Sequence, residues 1–189
     1  MSHLIRAGVF LIQTVFGTLI VLFLLRALLI ATNMPFSEPV CRFVYTLTNR
    51  VITPLRTFVP RWRKVEFASL LVAWLLCVAE SALIYALVGV SIDIGMLLAR
   101  ALVDLLDWTL WIELIAIFGY CVLSFFPALR YDSNFRLLAR FVDPLVRPFR
   151  RLLPPIGGLD FSCWLASIAL VLAQLLVVAP LYELTGKVS

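Results

Sequence analysis

The chain has 189 residues, 63% of them hydrophobic and only 14% charged, with a formal net charge of +5. A soluble domain carries about 45–50% apolar and about 25% charged residues, and a single core of this size cannot hide the difference. The composition excludes an ordinary soluble domain. One histidine, His3, and four scattered cysteines without a C-x-x-C pair leave zinc, haem and thiol-redox chemistry without a ligand set.

Four apolar stretches carry the excess, each near the roughly 20 residues that cross a bilayer. The first, residues 9–31, is longer than the roughly 7–15 residues of a signal-peptide core, and no small-x-small cleavage site follows it. It predicts a retained transmembrane helix, with Arg26 toward one end, able to snorkel or to pair with a carboxylate. A basic loop, residues 32–64, carries Arg42, Arg50, Arg56, Arg61, Arg63 and Lys64. The second span, residues 67–90, holds Glu80 and Ser81 near its middle. The third, residues 105–126, holds Glu113. A second basic loop, residues 127–160, carries Arg130, Arg136, Arg140, Arg147, Arg150 and Arg151, and the fourth span, residues 161–181, holds Gln174. The expected fold is all-α: four transmembrane helices as two tandem hairpins, residues 1–94 and 95–189, each with an amphipathic interfacial segment in its loop.

Those two loops hold 12 of the 16 basic residues. Positive charge stays on the cytoplasmic side. Both loops then face the cytoplasm, with both termini on the other side. The two hairpins share one orientation, unlike the inverted repeats of many transporters.

The hairpins are copies. Residues 42–87 align on 136–181 without a gap: Arg42 falls on Arg136, Pro54 on Pro148, Arg56 on Arg150, Pro60 on Pro154 and Phe67 on Phe161, an offset of 94. In the second loop Arg136, Arg140, Asp143, Arg147 and Arg150 recur at spacings of four, three, four and three, one helical face, while Phe135, Leu138, Val142, Leu145, Phe149 and Leu152 line the other. Such a helix suits the headgroup layer, with arginines toward lipid phosphates. Asp143-Pro144 reads as an N-cap followed by proline at the first helical position, so a break is expected near Asp143. Asn49 takes the equivalent position in the first loop. The glycines of Pro154-Pro155-Ile156-Gly157-Gly158 permit a tight turn, after which Asp160 or Ser162 can cap the fourth span.

The stretch from Asp143-Pro144-Leu145 through Arg147-Pro148 and Arg150-Arg151-Leu152-Leu153-Pro154-Pro155-Ile156-Gly157-Gly158-Leu159-Asp160-Phe161-Ser162 resembles the signature of the YggT family, called YlmG in other lineages. These are small bacterial and plastid membrane proteins with two such repeats, and the resemblance spans essentially the whole chain. The first copy departs from it: Arg50 stands for the proline after the cap, Arg61 for the second proline, and Arg63-Lys64 for the glycines. The resemblance implies a membrane protein with no established enzymatic reaction. It links the family to osmotic-shock tolerance and ion balance, to cell-division gene neighbourhoods and to membrane or nucleoid organisation in plastids.

An ionisable group at membrane depth costs about 2.5–3.5 kcal/mol and asks for a reason. Glu80, Glu113, Gln174 and Arg26 are the intramembrane polar candidates. Thr109, Glu113, Ala116, Tyr120 and Ser124 share a face that suits helix packing. The repeat sets Gln174 on Glu80, so these two are expected to meet near a pseudo-twofold axis. Asp104 and Asp107 are expected to reach water. No nucleophile elbow, P-loop or metal cluster appears. The residues therefore read as a non-enzymatic membrane protein, without a cofactor, that organises lipid or partner proteins, and the resemblance implies a role in envelope integrity or osmotic-stress tolerance. Its lipid- or partner-binding residues are Arg42, Arg56, Arg136, Arg140, Arg147, Arg150, Arg151, Gly157 and Gly158. Its partners are anionic phospholipid and a membrane protein or a second copy, with no nucleic acid. The alternative is a small potassium or proton transporter or channel subunit, with Glu80 and Glu113 on the path.

Overall fold

The computed structural model describes residues 2–34, 38–55, 66–126, 132–151 and 160–185. All regular structure among them is helical: α1 (Ser2–Ala31), α2 (Pro39–Leu55), α3 (Phe67–Val88), α4 (Ile94–Ser124), α5 (Ser133–Arg150) and α6 (Ser162–Ala173), continued by a π-helical turn (Gln174–Val178) and α7 (Ala179–Leu184). Three runs are long and apolar enough to cross a bilayer: residues 3–31 of α1, all of α3, and α6 through α7. A helix satisfies its own backbone, which hydrocarbon requires. Lipid-like surroundings also explain why Leu175 and Leu176 stand 62% and 72% exposed on the last helix.

The boundaries differ from those expected at two places. The helix begins at Ser2 rather than at residue 9. The third long helix begins at Ile94 rather than at residue 105, because Asp93 caps it by accepting the Gly95 N–H (2.8 Å). This brings Arg100, Asp104 and Asp107 onto α4. The turn before it is set by Gly89, whose φ of +77° suits a residue without Cβ and whose N–H closes α3 on the Tyr85 carbonyl.

Shifted by 94, α1 falls on α4, α2 on α5, and α3 on α6 with its extension. Within each copy the two long helices pack together, α1 on α3 and α4 on α6, with α2 and α5 laid across one end. The copies meet through α3 on α4 and α1 on α4. One cluster, around Ile20, Leu24, Ile52, Ala73 and Cys77, fills the first copy. A second, around Ile117, Phe141, Val142, Val146 and Cys163, fills the other and takes in Cys41, Val44 and Tyr45 of α2.

The expected break near Asp143 is absent: α5 is continuous through Pro144 and Pro148. Each proline removes one N–H, but the carbonyls that lose it, those of Arg140 and Pro144, belong to exposed residues and can find other donors outside the protein. The buried side, Phe141, Val142 and Val146, holds the helix down regardless. Near the far end of the chain Pro180 similarly forbids a regular turn. The ladder widens there, and the Ala179 N–H reaches back five residues to the Gln174 carbonyl.

Candidate functional site: two guanidinium–carboxylate clasps

Arg26 of α1 is fully buried. Its Nε donates to Glu66 Oε2 (2.7 Å) and Nη2 to Oε1 (3.4 Å). Its Nη1 donates to Thr48 Oγ1 (2.6 Å) and Asn49 Oδ1 (2.9 Å) of α2. The guanidinium lies 5.0 Å from the centre of the Tyr45 ring. Ser69 Oγ also donates to Glu66 Oε2 (2.5 Å). One planar cation thus joins α1, α2 and the entry of α3. Arginine suits this role because its fork matches a carboxylate while spare N–H groups reach elsewhere.

The second copy builds the same junction from different donors. Arg150 at the end of α5 donates through Nη1 to Asp143 Oδ1 (2.7 Å), through Nε to Asp160 Oδ2 (2.9 Å) and through Nη2 to the Tyr120 hydroxyl (3.0 Å). Tyr120 OH donates to Asp160 Oδ2 (3.3 Å), and Asp160 Oδ1 accepts the Ser162 N–H (3.1 Å) at the entry of α6. Under the offset of 94, Tyr120 stands on Arg26, Asp143 on Asn49 and Asp160 on Glu66. The carboxylate keeps its place, and among the described residues its guanidinium comes from the long helix in the first copy and from the crossing helix in the second. Partial burial works against the Arg150 charge, but the Asp160 hydrogen bond, then Tyr120 and the two carboxylates, outweigh it and hold the group above its ordinary pKa.

Asp143 therefore serves as an acceptor for Arg150 rather than as the cap of a new helix. Asp160 does serve the start of α6 as expected. Arg26 takes the carboxylate-pairing role, with a partner, Glu66, that periodicity alone did not single out. The signal was present: an acid opens the second long helix of both copies at the same repeat position.

The remaining arginines fall into another group. Arg42, Arg136, Arg140, Arg147 and Arg151 are exposed and take part in none of the ion pairs found among the described residues. Arg147 and Arg151 flank Pro144 and Pro148 around an open notch of about 290 Å³. Arg56, Gly157 and Gly158 lie outside the described residues.

At the opposite end of the bundle a cavity of about 570 Å³ is walled by Glu80, Arg100, Asp104, Asp107, Trp108 and Tyr182, among others. Tyr182 OH donates to Asp104 Oδ1 (2.7 Å) and Asp107 Oδ2 (3.4 Å), Ser81 Oγ donates to Asp104 (3.2 Å), and Arg100 lies 3.8 Å from the same carboxylate. Glu80 is half-buried there. Asp104 and Asp107 line this open cavity and are half-buried. No hydrogen bond joins Gln174 to Glu80 among the described residues: α3 and the π turn each pack on α4, and Gln174 Nε2 is buried without a hydrogen-bond partner among those residues. Glu113 is half-buried on α4, while Tyr120 and Ser124 further along are buried. Cys41, Cys77 and Cys163 are buried free thiols, and burial, then Glu38, pushes the Cys41 thiol above its usual pKa.

The family model described as CCB3/YggT matches the chain twice, at residues 5–87 and 99–181. The chain belongs to the CCB3/YggT family. It is 30% identical over 188 residues to the "Uncharacterized protein PA0392" of Pseudomonas aeruginosa, covering 98% of this chain and 95% of that one. It is 32% identical over 177 residues to the "Uncharacterized protein in proC 3'region" of Vibrio alginolyticus, covering 89% and 91%. To the "Uncharacterized protein YggT" of Escherichia coli K12 it is 30% identical over 181 residues, covering 94% and 92%. No solved structure matches. The two CCB3/YggT matches each take in one long helix pair with its crossing helix and hence one clasp.

Proposed function

We propose that this CCB3/YggT protein is a non-enzymatic scaffold of the bacterial inner membrane that gathers anionic lipid and partner proteins, in the service of envelope integrity under osmotic stress. In this reading α4 is the fourth span beside the three apolar runs, both crossing helices lie in the cytoplasmic headgroup layer, and both termini are periplasmic. One observation carries it. In each copy a buried or half-buried guanidinium clasps the crossing helix to the bundle, while Arg136, Arg140, Arg147 and Arg151 stand exposed on that fixed platform, outside the ion pairs found among the described residues. A row held this way meets phosphate-rich surfaces without first paying to order the helix.

The test is survival of hypo-osmotic shock in a host strain lacking its own copy. Arg147→Gln with Arg151→Gln is expected to fail to restore survival, with anionic-lipid affinity down about fivefold per arginine. Glu113→Gln is expected to restore it fully. The reverse pattern would reject the scaffold.

The cavity around Glu80 favours a second reading, an ion-handling subunit, since ionisable groups at membrane depth often mark ion paths. Potassium and proton flux in proteoliposomes separates the two. The scaffold reading expects no flux above protein-free vesicles. Flux that vanishes in Glu80→Gln would establish transport.

A further inference from the structure

Where the two copies meet, α1, α4 and α5 enclose an open groove of about 490 Å³ whose walls include Val21 and Leu25 of α1, Ile112 and Ala116 of α4, and Leu138 and Phe141 of α5. Its lining continues along α1 to Leu29, eight residues beyond Val21, or about 12 Å of helix rise. The groove therefore runs from within the apolar part of the long helices up to the crossing helix. Protein interiors rarely leave voids much larger than a water molecule. Water itself has almost no polar partner along these walls.

The rim supplies the opposite chemistry. Arg140 immediately precedes Phe141 on α5, and Arg136, four residues earlier, lies one turn away on the same side. Both are exposed and belong to none of the ion pairs among the described residues, while Asp143 and Asp160 are held by Arg150 and the exposed Asp132 lies one turn before Arg136. The site is apolar below and doubly cationic above.

We infer that this groove holds one acyl chain of an anionic phospholipid, with Arg136 and Arg140 on its phosphate. The inference deepens the scaffold reading and rests on it: the arginine row becomes a site that selects lipid by headgroup charge and retains it by chain. A free phosphate would use only the rim. A second copy of this chain would fill only the groove.

The experiment is native mass spectrometry of the purified full chain in mild detergent, with phosphatidylglycerol or phosphatidylcholine of identical acyl chains. The wild type is expected to retain one phosphatidylglycerol in preference to phosphatidylcholine. Arg136→Gln with Arg140→Gln is expected to remove the preference, by about fivefold for each arginine. Ala116→Trp, which fills the groove, is expected to remove retention of both lipids while its circular dichroism stays helical. Equal retention of the two lipids by the wild type overturns the proposal and needs no variant to do so. Retention unchanged in folded Ala116→Trp, displacement by inorganic phosphate, or a lipid-free dimer would each overturn it too. These outcomes are separable from failure of the scaffold reading, which is decided by the Arg147 and Arg151 substitutions in cells and by flux.

Discussion

Arg26→Ala lowers stability by about 3–5 kcal/mol, the largest loss expected of a single substitution in this chain. The size follows from what is left behind. Glu66 is 1% exposed, and the substitution takes from its buried carboxylate the forked pair of N–H donors that Arg26 supplies. The Thr48 and Asn49 oxygens lose their shared donor at the same moment. Arg26→Lys recovers only part of this, because an ammonium cannot lie flat between the Glu66 fork and the two α2 acceptors. A double change, Arg26→Leu with Glu66→Leu, recovers more than Arg26→Lys, since removing both charges also removes the desolvation cost of each. Unfolding by heat or by sodium dodecyl sulfate in detergent, followed by circular dichroism, measures all three. A loss below about 1 kcal/mol for Arg26→Ala would put the pair in the class of solvent-screened ion pairs and refute its burial.

Asp160→Ala costs about 2 kcal/mol, less than the equivalent change at Glu66 although the two acids share one repeat position. Three donors lose their acceptor: Arg150 Nε, the Tyr120 hydroxyl and the Ser162 N–H. The penalty is smaller because the Arg150 side chain is 30% exposed and still holds Asp143, so its charge is neither fully desolvated nor alone. Asp160→Asn should recover most of the Ser162 contact and little of the ion pair. The same unfolding assay reads the difference. Equal losses at Glu66 and Asp160 would mean that the copies bury their clasps to the same depth, against the structure.

The two expected losses differ because duplication preserved a junction and not its donors. Asp160 and Glu66 both open the second long helix of their copies, and Asp143 and Asn49 both sit on the crossing helix. Among the described residues the guanidinium comes from Arg26 in the first copy and from Arg150 in the second, while Arg56, which falls on Arg150, lies outside them. The row formed by Arg136, Arg140 and Arg147 lies on the exposed side of α5, while Asp143 and Asp160 turn inward to Arg150.

Much of this was legible in the chain itself. The apolar runs around Leu24, Val72 and Leu170, the offset that sets Arg42 on Arg136, and the alternation of Arg140 and Arg147 with Val142 and Val146 follow from residue type and spacing alone. Length, helicity, duplication and CCB3/YggT membership are properties of the one-dimensional pattern, because the bilayer-scale apolar length and the 3.6-residue period act locally. Other features were decided by tertiary packing. Pro144 predicted a break, yet burial of Val142 and Val146 kept α5 continuous. Asp143 had the chemistry of a cap, but Arg150, seven residues on, claimed it. Gln174 and Glu80 occupy equivalent positions in sequence and face different neighbours, because α4 lies between their helices. Arg26 could have snorkelled or paired. Glu66, forty residues away, settled the choice, for a carboxylate brought within 2.7 Å by the α1–α3 contact offers a buried cation more than distant water can.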